Sequence, residues 1–184
     1  MSLHTRFRKL SASLLLALAP LVWPTDALAQ AQAPEPELKA AIIANMLLFI
    51  EWPDARVSAL DEITVCHLGS SPVADALTLL NGKSVKGKLL KVAAISPDKT
   101  ENCHALYLAT THAGMLSRLV PGGATNNVPI LLFGDTPGFL QRGVMVNLEQ
   151  VGGRVVFDIN LRSLQASGLK LSSKALRLAR VVIE

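Results

Sequence analysis

Leu38–Pro53 (LKAAIIANMLLFIEWP) is apolar on nearly every side and is broken only by Lys39, Asn45 and Glu51. Leu38, Ala41, Ile42, Met46 and Phe49 recur at helical spacing, and Ile43, Leu47 and Ile50 form a second stripe beside them. A helix this apolar is buried on most faces or lies against a partner. It is shorter than the ~20 residues that a bilayer span needs. Pro53 drives Trp52 out of the α region, so the spacing predicts a helix ending near Glu51. Its Met46–Phe49 side is expected against a sheet, with part of the Ile43–Leu47–Ile50 face left for a second copy or a partner.

What precedes this helix reads as an address. Arg6, Arg8 and Lys9 form a basic start, Leu10–Val22 is an apolar run, and Ala27-Leu28-Ala29 is a small-residue cleavage site. Residues 1–29 are therefore expected to be a signal peptide cleaved after Ala29. Residues 30–37 (QAQAPEPE) follow as a flexible, polar lead-in. About 155 residues remain, enough for one domain with a sizeable core. The formal charge is +4. Roughly half of it belongs to the signal segment, and aromatic residues are few, which argues against nucleic acid as a partner.

Two cysteines, Cys66 and Cys103, lie beyond the cleavage site. Export to an oxidising compartment makes a Cys66–Cys103 disulfide the default. Each cysteine is followed by a histidine, His67 and His104, which raises a Cys2His2 zinc site as the rival. Both pairs fall in predicted strands, where neighbours point to opposite faces, so cysteines that meet leave the histidines diverging. No metal or other cofactor is expected.

Along the chain, Glu62–Leu68 reads as a strand and Pro72–Leu80 as a helix with Ser71 as its N-cap. Leu89–Ile95 and Ala105–Ala109 are further strands, His112–Val120 a helix, and Pro129–Phe133 a continuous apolar run suited to a buried strand. This alternation predicts an α/β fold: a mainly parallel sheet flanked by helices in a single domain spanning 38–184. Val144–Gln150 and Arg154–Asn160 then alternate around Gly152-Gly153, predicting a C-terminal β-hairpin with Asn147, Glu149, Asp158 and Asn160 on the outer face. A short helix over 161–167 follows. A closing helix from Ser172 or Ser173 is expected to turn Leu176, Leu178, Ala179 and Val182 inward and Lys174, Arg177 and Arg180 outward.

The catalytic signals are weak. Gly82–Lys88 (GKSVKGK) begins like a phosphate-binding loop, but Leu89 stands where the metal-binding hydroxyl is needed and no strand precedes it, so it reads as a basic turn. No G-x-S-x-G or H-E-x-x-H pattern and no clustered carboxylate pair occurs. No catalytic residue is assigned, and the chain is not expected to be an enzyme. Gly69-Ser70-Ser71, between a strand and a helix N-terminus, is the better small-ligand signal and nominates Ser70.

Taken together, the helix ending in FIEWP, the PGF–RGVMVN–GRVVFDIN stretch and the GLKLSSKALRLARVV tail resemble the YfiR family over Leu38–Ile183. The resemblance implies a periplasmic regulator that inhibits a membrane signalling partner. That partner is an inner-membrane sensor: a YfiN-type diguanylate cyclase, whose inhibition controls cyclic-di-GMP, or the periplasmic part of a histidine kinase. It further implies an outer-membrane YfiB-type partner and a homodimer. Cys66 and Cys103 match the family's disulfide pair, and Asp158 stands where a Glu is usual. Asp158 and Leu164 fall in the region implied for partner contact, with Phe49 and Trp52 as apolar anchors beside it. Arg56 and Lys170 join Ser70 as candidate ligand contacts. A small-molecule-binding sensor subunit is the alternative function.

Overall fold

A computed structural model describes residues 33–53, 61–85, 87–120 and 129–184. The expected signal peptide, the Asp54–Leu60 connection with Arg56, and the Pro121-Gly122-Gly123 turn lie outside the described residues.

The first helix, α1, spans Glu35–Met46. Glu35 and Glu37 in its first turn favour the positive end of the helix dipole, and Pro36 fits where N–H groups have no intrahelical acceptor. The last three residues of the expected lead-in are thus helical. A 3-10 turn, Leu47–Phe49, continues it. Ile50–Glu51 then leaves the helix as a short strand, β1, pairing antiparallel with Leu171–Lys170 of β9 (Lys170–Leu171). The helix therefore ends earlier than Pro53 alone predicts, because strand pairing captures Ile50 and Glu51.

Burial settles the question of the free face. Ile43 and Leu47 are 0 % exposed and Ile50 is 1 % exposed within one protomer. The expectation that this stripe stays open for a partner is overturned: it is the more deeply buried side, and Phe49 is only partly covered.

Among the described residues the main sheet has eight strands. β2 is Glu62–Leu68, β3 Ser84–Val85, β4 Lys88–Ile95, β5 Ala105–Leu108, β6 Leu131–Gly134, β7 Val146–Val151, β8 Arg154–Asn160 and β10 Val182–Ile183. Their order is β10-β8-β7-β6-β5-β2-β4-β3. The run from β4 through β2, β5 and β6 to β7 is parallel, while β3 and β8 pair antiparallel with β4 and β7. β5 and β6 are buried at every residue, as parallel strands covered on both faces must be. The predicted α/β class, parallel sheet and hairpin are all present.

Helix α2, Pro72–Thr78, begins as the sequence predicts, with Ser71 Oγ accepting from the Ala74 N–H at 3.1 Å. It packs on α1. Four local expectations change. Thr110–Met115 is a 3-10 turn broken at His112, and only Leu116–Leu119 (α3) is α-helical. Ser84–Val85 in the basic turn forms a strand. The closing helix α5 stops at Leu178, which is 67 % exposed, and Val182 belongs to a strand. Three of the hairpin's supposed outer residues, Asn147, Asp158 and Asn160, are buried: Asn147 lies against Gly134, Asp158 is held by Arg180, and α1 packs on β8. Asn160 caps α4 (Leu161–Ala166) through the Ser163 N–H and donates to the Leu140 carbonyl at 2.9 Å.

The Cys66–Cys103 disulfide is formed, with both residues buried. It ties β2 to the segment just before β5 across 37 residues, a loop whose closure is worth about 4 kcal/mol in the chain-entropy account.

Candidate functional site

In the parallel part of the sheet, the chain starts at β2, steps outward to β4, and then crosses back to β5. The strand order therefore reverses between β2 and β5, and α/β sheets open a crevice at the carboxyl ends of such strands. A cleft of about 400 Å³ lies there, within the size range of small-molecule sites. Its lining combines the first turns of α1 (Glu35, Pro36, Lys39), the loop after β2 (Ser70, Ser71), the start of α2 (Pro72, Val73), the end of β5 with Thr110 and Thr111, and Asp135 just after β6.

Lys39 organises the floor. It sits on the inward face of α1 and is 7 % exposed. Its Nζ lies 2.7 Å from Glu35 Oε1, one helical turn earlier, and 3.1 Å from Asp135 Oδ2. Burial pulls the ammonium toward neutrality, but Glu35 and Asp135 together hold its pKa above the ordinary lysine value.

Tyr107 continues the floor. It is 1 % exposed and lines the cleft with Ser71 and Asp135. Burial pushes the phenol well above its usual range, and the Asp135 charge adds to the shift. The result is a connected line of charge, Asp135, Lys39 and Glu35, with Tyr107 beside it. Every charge in it has a partner, as buried charges require.

The loop at the rim is equally fixed. Gly69 has φ +60°, a left-handed conformation that favours glycine, and a Cβ there would lie 2.9 Å from Cε1 of the His112 ring. His67 donates from Nδ1 to the Gly69 carbonyl at 2.8 Å. Ser70 lines the cleft, and its hydroxyl donates to Asp75 at 3.3 Å. The loop thus presents a carboxylate beside Ser70, and Ser71 already occupies one helix N–H.

The remaining sequence-nominated residues lie elsewhere. β1–β9 pairing brings Phe49 and Glu51 beside Lys170–Ser172, with the Ser172 N–H donating to the Phe49 carbonyl at 2.9 Å. Lys170 is exposed there and Phe49 half-buried. Leu164 is wholly buried and Trp52 nearly so, its ring edge-on to His104 at 6.3 Å, which places both in the protomer core. Asp158 is buried and held by Arg180, correcting the view of Asp158 as solvent-facing, while Arg180 itself is exposed as expected. The second histidine accepts from the Thr64 N–H through Nδ1 at 3.0 Å. Among the described residues, no group of three or more His, Cys, Asp or Glu is placed to hold a metal, and no helix is long and apolar enough to cross a membrane.

Sequence reasoning named Ser70 but missed Lys39, Tyr107 and Asp135. Two signals were available. One is a single lysine inside an apolar helix with a glutamate four residues before it. The other is the chain's one tyrosine, set in a fully buried strand.

Two solved structures share the fold. A conserved domain protein from Vibrio cholerae matches with a TM-score of 0.53 at 15 % identity, over 80 % of this chain and 60 % of that one. A protein described as an ABC domain in complex with L-Trp, from Streptococcus pneumoniae, matches with a TM-score of 0.50 at 13 % identity, over the same shares of the two chains, 80 % and 60 %. The chain therefore spans about three fifths of each relative, and at these identities the likeness is one of fold. Residues 36–180, nearly all of the described domain, match the family described as YfiR/HmsC-like. The chain belongs to the YfiR/HmsC-like family.

Proposed function

We propose that this protein is exported to the periplasm, binds the periplasmic part of an inner-membrane diguanylate cyclase of the YfiN type, and holds it inactive. The family match over 36–180 carries this reading. A buried disulfide, suited to an oxidising compartment, supports it. The contact surface lies on the β1–β9 side. Phe49 and Lys170 are its accessible members, and Trp52 and Leu164 support them from the core. A homodimer and an outer-membrane YfiB-type partner belong to the same reading. The protein acts by binding and performs no catalytic step. Deletion of the gene raises cellular cyclic-di-GMP, measured by mass spectrometry, and complementation restores it. An unchanged level would overturn the choice of a cyclase.

The cleft at the strand-order reversal favours a second role within that reading. A small periplasmic molecule bound there makes the protein a sensor subunit, whether its receptor is a cyclase or a histidine kinase. Glu35 and Lys39 belong to α1, which packs against α2 and β8, so occupancy at the cleft bears on the helix that covers the core.

A further inference from the structure

We propose that the cleft between α1, the loop after β2 and the end of β6 binds a small organic ammonium compound, its charged group beside Glu35 and its apolar body against Pro36, Pro72 and Val73. The inference rests on the reading of this cleft as a ligand site.

Charge decides the ligand class. The charged residues that line the cleft among those described are Glu35, Lys39 and Asp135. Two carboxylates face one ammonium, which leaves one negative charge in excess. Tyr107 adds none, because burial keeps its phenol protonated. An anionic ligand would seek Lys39, but both neighbouring carboxylates already engage that side chain. Drawing Lys39 away would strip Asp135 of its cation at a site where that carboxylate is 15 % exposed. Uncompensated charge at such depth is strongly unfavourable.

A cationic ligand meets no such obstacle. The Glu35 side chain is 34 % exposed, and its contact with Lys39 uses Oε1. Its second oxygen can accept an incoming N–H. Hydroxyls of Ser70, Thr110 and Thr111 stand around the same opening, and hydroxyl oxygens also accept from an ammonium. The body of the ligand is apolar, since two prolines, Val73 and Ala109 line the walls. A few placed polar groups within apolar walls are what small-molecule sites use to set orientation.

The test uses the purified exported protein and three compounds with matching aromatic bodies: 2-phenylethylammonium, 2-phenylethanol and 3-phenylpropionate. Binding is read by saturation-transfer NMR and by thermal shift. The cation is expected to bind at least about tenfold more tightly than the alcohol or the carboxylate. Glu35→Gln lowers cation affinity by about tenfold and narrows the preference over the alcohol. Ser70→Trp, at an exposed rim position, closes the mouth and abolishes the signal while leaving the charges intact. Preference for the carboxylate, silence from all three compounds, or an unaltered affinity in Glu35→Gln would overturn the proposal. None of those results bears on the regulatory reading, which is decided separately by cyclic-di-GMP in the deletion strain.

Discussion

Arg180 grips Asp158 with two hydrogen bonds, Nε to Oδ1 at 2.9 Å and Nη2 to Oδ2 at 2.5 Å. The same guanidinium also bonds Glu149 on the neighbouring strand. The fork geometry suits a carboxylate, and lysine would not reproduce it. Backbone bonds complete the joint. The Arg180 N–H donates to the Phe157 carbonyl, and the Ile159 N–H donates to that of Val181, both at 2.9 Å. The last strand, β10, is thereby fixed to β8.

Because Asp158 is buried, the two single substitutions differ. Arg180→Ala leaves a buried carboxylate without its cation, whereas Asp158→Asn leaves a neutral amide. Arg180→Ala is therefore the more destabilising, and Arg180→Ala combined with Asp158→Asn recovers part of the loss. Urea denaturation of the four proteins measures the coupling. Equal midpoints for the two single variants would refute it.

Gly134, at the end of β6, is a packing position. A Cβ there would come within 2.6 Å of Phe139 Cδ2 and 3.1 Å of Asn147 Oδ1. Both neighbours are buried, and Phe139 is 1 % exposed, so neither ring nor amide has room to yield. Gly134→Ala should cost about 1–3 kcal/mol by overpacking. It should also disturb the cleft, since Asp135 is the next residue. Gly138→Ala provides the contrast. No atom lies within 4 Å of its added Cβ, so its cost comes from its left-handed backbone alone, with φ +83°.

Much of the fold was readable from local pattern. Glu62–Leu68 was bounded correctly because an apolar run ends at Gly69 and a serine cap follows. The PILLF run announced β6 by its continuous apolarity. The strands β1, β9 and β10 were not readable, because two residues carry no period. Their pairing is tertiary, and it is what cut the first helix short and turned the expected end of the last helix into an extended segment. The site was legible only in part for the same reason. Lys39 and Asp135 are 96 residues apart. Only the crossing from β4 back to β5 and onward to β6 brings that aspartate under α1. Ser70 was nominated as a neighbour of open helix N–H groups, yet the folded loop sets it against Asp75 and the rim of a net-negative cleft.

The floor of that cleft makes stability sensitive to alkali. Lys39 is held above its ordinary value of 10.5, and Tyr107 above its ordinary 10.0. For both groups the folded state binds the proton more tightly. Their contribution is therefore complete below about pH 10 and is lost as pH rises through the folded values. Tm should stay level between about pH 7 and 9 with respect to these groups and fall above about pH 10. Tyr107 is the chain's single tyrosine, so tyrosinate absorbance reports on it alone. That signal should appear together with unfolding. Tyr107→Phe should show a shallower alkaline decline. A tyrosinate signal at pH 10 in the folded protein would contradict the buried network.

Leu47 and Leu48 separate core from surface within one turn. Leu47 is 0 % exposed and belongs to the buried cluster with Ile43 and Ile50, while Leu48 is 39 % exposed. Truncating a core leucine removes both its transfer energy and the contacts around the cavity it leaves. Leu47→Ala should therefore cost about 2–5 kcal/mol. Leu48→Ser should change stability by no more than about 0.5 kcal/mol. Sedimentation velocity adds the second readout. If the Ile43–Leu47–Ile50 stripe serves only the protomer, Leu47→Ala lowers the denaturation midpoint without altering the oligomeric state of the protein that remains folded. A shift from dimer to monomer in Leu47→Ala, with its midpoint unchanged, would instead place that stripe at an interface.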